Sequence, residues 1–321
     1  MRHLKIFLIV LILGSLFYFG NKFLGPKLTD FFFWLEMAKN PQILAAQEKE
    51  LAFERNLRAL KPIRNNETPN LEIIAKSAIS VFVDNQGKER VIFDKLSNER
   101  LPIASITKLM TAKVVLENYD LDKEIRVSQE AVEQDEDFGK LQASKVYPVE
   151  YLLYPLLMES SNDAAFSLYS DYDGMNRETF LGLMNFSAQK MGLQDTYFFN
   201  ATGLEPEEDP NTQDLNYSTA ADLAKMTKEL LKIPLLWEIL ATPAYNLYGP
   251  ELKNTNELLG EITGILGGKT GYTEKAQGCF LLVVQAPKSK GVLVNVILGS
   301  NNNRFEEMRK LVNWTKEAYE W

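Results

Sequence analysis

Apolar and polar positions change rhythm several times along this chain. Residues 6–19 are apolar apart from Gly14 and Ser15, with Arg2, His3 and Lys5 in front and Lys22 behind. The run is shorter than the roughly 20 residues that span a bilayer as a helix, so it reads as a secretory signal or a short anchor. No Ala-x-Ala-like site follows it, which favours an uncleaved anchor with the C-terminal part exported. Phe31, Trp34, Leu35 and Ala38 recur at helical spacing, a segment suited to a membrane surface or to packing on a domain. Asn40-Pro41 then offers a cap for a helix over 42–60, stopped by Lys61-Pro62, and Asn65–Asn70 reads as a linker. The chain therefore divides into a signal or anchor segment (1–22), a helical stalk and linker (23–66) and a folded domain (67–321).

Within that domain, Ile79–Val83 and Val91–Phe93 flank a polar Asp84–Arg90 and predict an antiparallel hairpin. Leu101–Tyr119 changes to a helical composition, with Pro102 suited to the helix start. From about 120 to 240 the character is helical, clearest at Tyr151–Leu157, Ala164–Tyr169, Thr179–Lys190 and Thr219–Leu231, with a Gly- and Pro-containing loop over Asn200–Ser218. Two apolar runs, Gly278–Ala286 and Gly291–Leu298, joined at Pro287–Lys290, predict a second hairpin. Arg304–Tyr319 predicts a terminal helix with Phe305, Met308, Leu311, Val312 and Trp314 facing a core. Strands at both ends around a helical middle imply an α/β chain of the α+β type: an antiparallel sheet flanked by helices, with an inserted all-helical lobe.

Composition narrows the chemistry. A net charge of −8 leaves no basic surface for a nucleic acid. The single cysteine, Cys279, cannot form an intramolecular disulfide and sits in an apolar run as a small buried hydrophobe. The single histidine, His3, precedes the folded domain. That domain can hold neither a Ser-His-Asp nor a Cys-His arrangement, nor a His-containing zinc site. A general base near neutral pH must come from Lys, Glu, Asp or Tyr.

The search becomes one for a hydroxyl beside a lysine. Ser105-Ile106-Thr107-Lys108 places the two on one helical face, and a helix start there would supply N–H groups for developing negative charge. Ser187-Ala188-Gln189-Lys190 matches the same pattern in a polar helix end, so the motif alone decides little. Ser160-Ser161-Asn162 follows an apolar helix, and Lys269-Thr270-Gly271 is placed directly before a strand. Ser-x-x-Lys, a Ser-x-Asn element and Lys-Thr-Gly, in that order, form the motif set of penicillin-binding proteins and serine β-lactamases. Order and spacing select Ser105 over Ser187.

From roughly 75 to 315 the chain resembles the D-alanyl-D-alanine carboxypeptidases, the low-molecular-weight penicillin-binding proteins. Pro102–Ala112, Leu156–Ala165 and Gly267–Thr273 resemble the three motif segments, and Asn200–Leu204 and Ser218–Ala224 two supporting blocks. The resemblance implies a penicillin-binding, serine β-lactamase-like fold and hydrolysis of the terminal D-Ala-D-Ala bond of peptidoglycan stem peptides through a serine acyl-enzyme. It implies Ser105 as nucleophile, Lys108 as base, Ser160 as proton relay and Asn162 as orienting amide. Lys269, Thr270, Gly271 and Tyr272 would bind substrate, with the Ser105 and Tyr272 N–H groups as oxyanion hole. It implies no metal or organic cofactor, covalent inhibition by β-lactams, and a place in the bacterial cell envelope held by residues 4–19.

Two departures stand out: Ser161 occupies a position that is commonly glycine, and Leu215-Asn216-Tyr217 lacks the histidine often found before Ser218. A D,D-endopeptidase would use the same residues. A class A β-lactamase would need a positioned glutamate, and Glu205, Glu207 and Glu208 do not reproduce that family's motif. A non-catalytic peptidoglycan-binding or scaffold protein would have little chemical reason to keep all six polar motif residues.

Overall fold

The computed structural model describes residues 48–52, 62–134, 140–205, 215–301 and 303–321. Residues 48–52 are helical; the apolar segment 6–19, the aromatic segment 31–38 and the rest of the expected 42–60 helix lie outside the described residues. A compact unit runs from Arg64 to Trp321.

That unit is organised by strands β1 (Ser77–Asp84), β2 (Glu89–Lys95), β3 (Ile265–Thr273), β4 (Gln277–Gln285) and β5 (Gly291–Ser300). They form an antiparallel sheet in the order β3-β4-β5-β1-β2. Side chains of a strand alternate between faces, and here both faces are apolar. Ile79, Val81, Val83, Cys279, Leu281, Val283, Val294 and Val296 enter one core. Their neighbours Ala78, Phe82, Phe280, Leu282, Val284, Leu293 and Ile297 enter the other. Coverage of both faces is why these strands read as continuous apolar runs. Each fully buried Val, Leu or Ile contributes roughly 1.5–3 kcal/mol. One polar pair interrupts the second core: Ser80 Oγ donates to Asn295 Oδ1 at 2.7 Å, and Asn295 Nδ2 donates to the carbonyls of Leu282 and Leu293.

The longer helices of this unit are α1 (Lys108–Asn118), α2 (Val149–Tyr154), α3 (Asn162–Ser170), α4 (Arg177–Lys190), α5 (Ala220–Leu230), α6 (Pro234–Ala241) and α7 (Arg304–Glu317). The first six belong to the segment inserted between β2 and β3 and share the first core. From the other side α7 brings Met308, Leu311 and Val312. Its Glu307 accepts the N–H groups of Ile74 and Ala75 and the Ser300 hydroxyl, pinning the irregular segment that leads into β1.

Three local expectations need correction. Pro102 does not start a helix: Leu101–Pro102 pairs with Tyr217–Ser218 as a two-residue ladder, where a residue without N–H is tolerated at the edge. The helical turn opens at Ala104 as a 3₁₀ segment and becomes α1 only at Lys108. Lys269-Thr270-Gly271 lies inside β3, not ahead of a strand, because β4 pairs with it through Thr273 despite a glycine content that disguises the strand. The helix expected over Tyr151–Leu157 ends at Tyr154 and widens into a π turn over Pro155–Glu159.

Candidate functional site

The three motifs meet where the helical lobe joins β3. Ser105 sits in the 3₁₀ turn Ala104–Thr107, partly exposed, after an Ala104 held at φ +45°. A non-glycine residue in that region carries strain that only its surroundings can hold in place. Two glycines supply the surroundings. A Cβ on Gly203, itself at φ +90°, would lie 2.2 Å from the Ala104 carbonyl oxygen; one on Gly271 would lie 3.0 Å from the Ser105 nitrogen. Only bare backbone lets the Asn200–Leu204 loop and β3 close on this turn from two sides.

Lys108 lies one helical turn beyond Ser105 and is fully buried. Its Nζ meets three oxygens: Ser105 Oγ at 2.8 Å, Asn162 Oδ1 at 2.7 Å and the Thr202 carbonyl at 2.7 Å. An ammonium would donate to all three. A neutral amine has two N–H groups and one lone pair; with its N–H groups on Asn162 Oδ1 and the Thr202 carbonyl, two oxygens that only accept, its lone pair would face the Ser105 hydroxyl.

The second motif is delivered by the π turn. The N–H of Ser161 reaches back to the Pro155 carbonyl at 2.9 Å, and Ser160 adopts φ +67°, left-handed, at the partly exposed end of the turn. Single wide turns of this kind frequently mark functional sites. Ser161 is buried and its Oγ accepts the Ala164 N–H at 3.1 Å. The hydroxyl where glycine is common is thus a helix cap for α3. Asn162, the first residue of α3, is thereby aimed at Lys108.

The third motif contributes Lys269, buried in β3, its Nζ donating to the Thr270 carbonyl at 2.9 Å. Burial and, to a smaller extent, the positive charge of Arg304 together push its ammonium down to about 7. Arg304 opens α7, and its Nε is buried without a hydrogen-bond partner among the described residues. Thr270 Oγ1 lies 2.7 Å from Thr255 Oγ1, while the Thr255 N–H donates to the Met158 carbonyl at 2.9 Å. Thr255 therefore ties the third motif to the turn carrying the second. Tyr272 is 41% exposed. Cys279 is buried in β4, opposite Gly271 of β3, with its thiol pushed up to about 12 by burial.

Ser105, Lys108, Asn162 and Lys269 all sit at this junction. Ser187 and Lys190 do not: they close α4 and line a shallow groove with Lys113, Glu117, Glu229 and Lys232. Sequence reading assigned no role to Thr202, Asn216, Thr255 or Arg304. In the sequence Asn200–Leu204 stands only as a supporting block, and nothing in a single sequence marks Thr255 or Arg304.

An antiparallel sheet with an inserted helical lobe, and these groups at their junction, defines the penicillin-binding, serine β-lactamase-like class of fold. A crystal structure of a Streptomyces DD-transpeptidase shares it: 26% sequence identity, TM-score 0.69, coverage of 77% of this chain and 99% of that one. The peptidase S11 pattern, described as D-alanyl-D-alanine carboxypeptidase, matches residues 64–302, and the chain belongs to that family. The D-alanyl-D-alanine carboxypeptidase DacF of Bacillus subtilis is 33% identical over 267 residues, which span 79% of this chain but 65% of that relative's length. A D-alanyl-D-alanine endopeptidase of Escherichia coli is 29% identical over 252 residues, covering 76% of this chain and 77% of its own.

Proposed function

We propose that this protein hydrolyses the terminal D-Ala-D-Ala bond of peptidoglycan stem peptides through an acyl-enzyme on Ser105. The observation that carries this reading is the buried Lys108, whose three oxygen neighbours leave a lone pair for the Ser105 proton. In the acylation step Ser105 Oγ bonds to the carbonyl carbon of the penultimate D-alanine while its proton passes to Lys108. The carbonyl oxygen gains charge opposite the N–H groups of Ser105 and Tyr272. Collapse breaks the C–N bond; Ser160 passes its proton to the departing amine and takes one back from Lys108, which returns to the neutral amine. Water then adds to the ester, losing a proton to Lys108, and Lys108 gives that proton to Ser105 Oγ as the Ser105 C–O bond breaks. Side chains and water suffice.

The terminal carboxylate of the substrate is met by Lys269, Thr270 and Arg304. The charge of the partly buried Arg304 opposes that of the buried Lys269 in the free protein, and an anion between them would relieve that repulsion while forming charge-assisted hydrogen bonds. This favours a substrate with a free C-terminus, and hence a carboxypeptidase, though relatives with either name share the family. The setting is the bacterial cell envelope, with residues 4–19 as the membrane anchor, and β-lactams act as covalent inhibitors of Ser105.

Fluorescent penicillin should label the protein and fail to label Ser105→Ala; folded protein without an adduct by mass spectrometry sinks the acyl-enzyme. A D-Ala-D-Ala-terminated muropeptide and a crosslinked dimer then separate the activities. Loss of one alanine alone supports the carboxypeptidase, and cleavage of the dimer requires an endopeptidase. A chain starting at residue 23 should leave the membrane fraction if residues 4–19 anchor it.

A further inference from the structure

The loop that supplies Thr202 to Lys108 is itself held by a residue outside the three motifs. Asn216 is 3% exposed and directly precedes the short strand Tyr217–Ser218. Its Oδ1 accepts the N–H groups of Phe199 at 2.7 Å and Asn200 at 3.1 Å. Its Nδ2 donates to the Asn200 carbonyl at 3.0 Å and to Thr107 Oγ1 at 2.9 Å. Its backbone carbonyl accepts the Ile103 N–H at 3.2 Å. One side chain thus joins the segment between Ser105 and Lys108 to the loop on the opposite wall.

Asn200 passes the constraint on. Its Oδ1 accepts the Thr202 N–H at 3.2 Å, the Thr202 hydroxyl at 3.1 Å and the Gly203 N–H at 2.7 Å, folding the turn that aims the Thr202 carbonyl at Nζ. Without a fixed Thr202 carbonyl, Lys108 could rotate about its last bond and turn an N–H towards Ser105 in place of the lone pair. An amide suits the task because it offers a donor and an acceptor together and does not titrate.

We propose that Asn216 is a positioning residue for the Ser105–Lys108 pair, acting through Asn200 on the Thr202 carbonyl and through Thr107 on the turn that bears Ser105. The inference rests on the acyl-enzyme reading above. A residue that only stabilised the fold would lower the melting temperature or the fraction of active protein; one that aims the lysine lowers the rate of the bond-forming step in protein that is folded and binds normally.

The test is benzylpenicillin acylation of the full chain at several drug concentrations, separating the non-covalent dissociation constant from the first-order acylation rate, with the final labelled fraction and the melting temperature recorded. Asn216→Ala should slow acylation about ten- to a hundredfold, with dissociation constant and final labelled fraction nearly unchanged. Thr107→Val, which removes only one acceptor of Nδ2, should slow it by about three- to tenfold, and the double variant should be no slower than Asn216→Ala alone, since both act along one connection. Acylation by Asn216→Ala within about twofold of the unaltered rate, or a loss confined to melting temperature or labelled fraction, overturns the proposal. If Asn216→Ala does not fold, Thr107→Val decides in the same way. An unaltered chain that never takes label overturns the acyl-enzyme reading itself.

Discussion

Ser105–Lys108 and Ser187–Lys190 have the same spacing and opposite surroundings. Lys190 is exposed in the last turn of α4, and the carbonyl of Ser187 accepts the Met191 N–H that closes the helix. Lys108 is sealed in, with an oxygen on each of three sides drawn from α1's own leading turn, from α3 and from the Asn200–Leu204 loop. The first lysine is open to solvent; the second is enclosed by fixed dipoles. A lysine becomes a base through what packs around it, and spacing alone does not supply that.

The largest effect expected from this contrast is at the enclosed lysine. Lys108→Met keeps much of the side chain's bulk and removes the lone pair. Acylation by penicillin should fall about 10²- to 10⁴-fold, the range associated with a lost general base, while the corresponding Lys190→Met leaves it unchanged. Stopped-flow or quenched labelling measures both. Equal losses at the two lysines would break the comparison.

A smaller effect tests how the enclosure is built. Gly203→Ala places a methyl group where the Ala104 carbonyl already stands and asks alanine to adopt φ +90°. The expected cost is about 2–3 kcal/mol of stability, seen in chemical denaturation, together with slower acylation in the folded fraction as the loop is pushed from Lys108. Retention of both stability and rate would mean that the loop and the Ser105 turn are less tightly opposed than they stand here.

Lys269 extends the contrast to the third motif. It too is buried, and its ammonium is held near 7 by burial and by Arg304. Below that pH the free protein presents two cations to a carboxylate; above it Lys269 must first recover a proton. The kcat/KM for a D-Ala-D-Ala-terminated peptide should therefore fall as pH rises through about 7, by at most about tenfold per pH unit, and Lys269→Met should remove that limb along with most of the activity. For stability the sign is reversed. An unfolded lysine keeps its proton to its ordinary range, so this group makes the fold gain stability as pH rises from about 7 towards 10.5. A rate profile flat from pH 6 to 9 would show that Lys269 stays charged throughout.

How much of this could be read in the sequence follows from the reach of each interaction. The sheet was legible because alternation on two covered faces leaves runs such as Gly278–Ala286 with hardly a polar interruption. Ser105 and Lys108 were legible because they are near neighbours, and Ser160, Asn162 and Lys269 because they recur in a fixed order. The Thr202 carbonyl was not: it stands 94 positions from Lys108, and a backbone oxygen has no residue type by which to be noticed. Asn216 stood out only as part of Leu215–Tyr217, a segment without the histidine often found there, since its partners at Thr107 and Asn200 are supplied by tertiary packing. Pro102 was misplaced for the same reason, its partner strand lying at Tyr217–Ser218. Arg304 reads in the sequence as an ordinary helix-opening residue; only the packing of α7 across β4 and β5 sets it against Gly278.

The smallest expected effect is also the most exposing one. Ser187→Ala and Lys190→Ala, singly or together, should leave penicillin acylation unchanged and shift stability by no more than about 0.5 kcal/mol, as for surface substitutions generally. The groove they line nevertheless includes Lys113 and Glu117, which belong to α1, the helix whose first residue is Lys108. An acylation loss of more than about threefold in the double variant, with stability intact, would mean that the outer face of α1 communicates with its buried end. Lys113→Ala would then reproduce the loss, and the environment of Lys108 would have to be extended through the whole of α1.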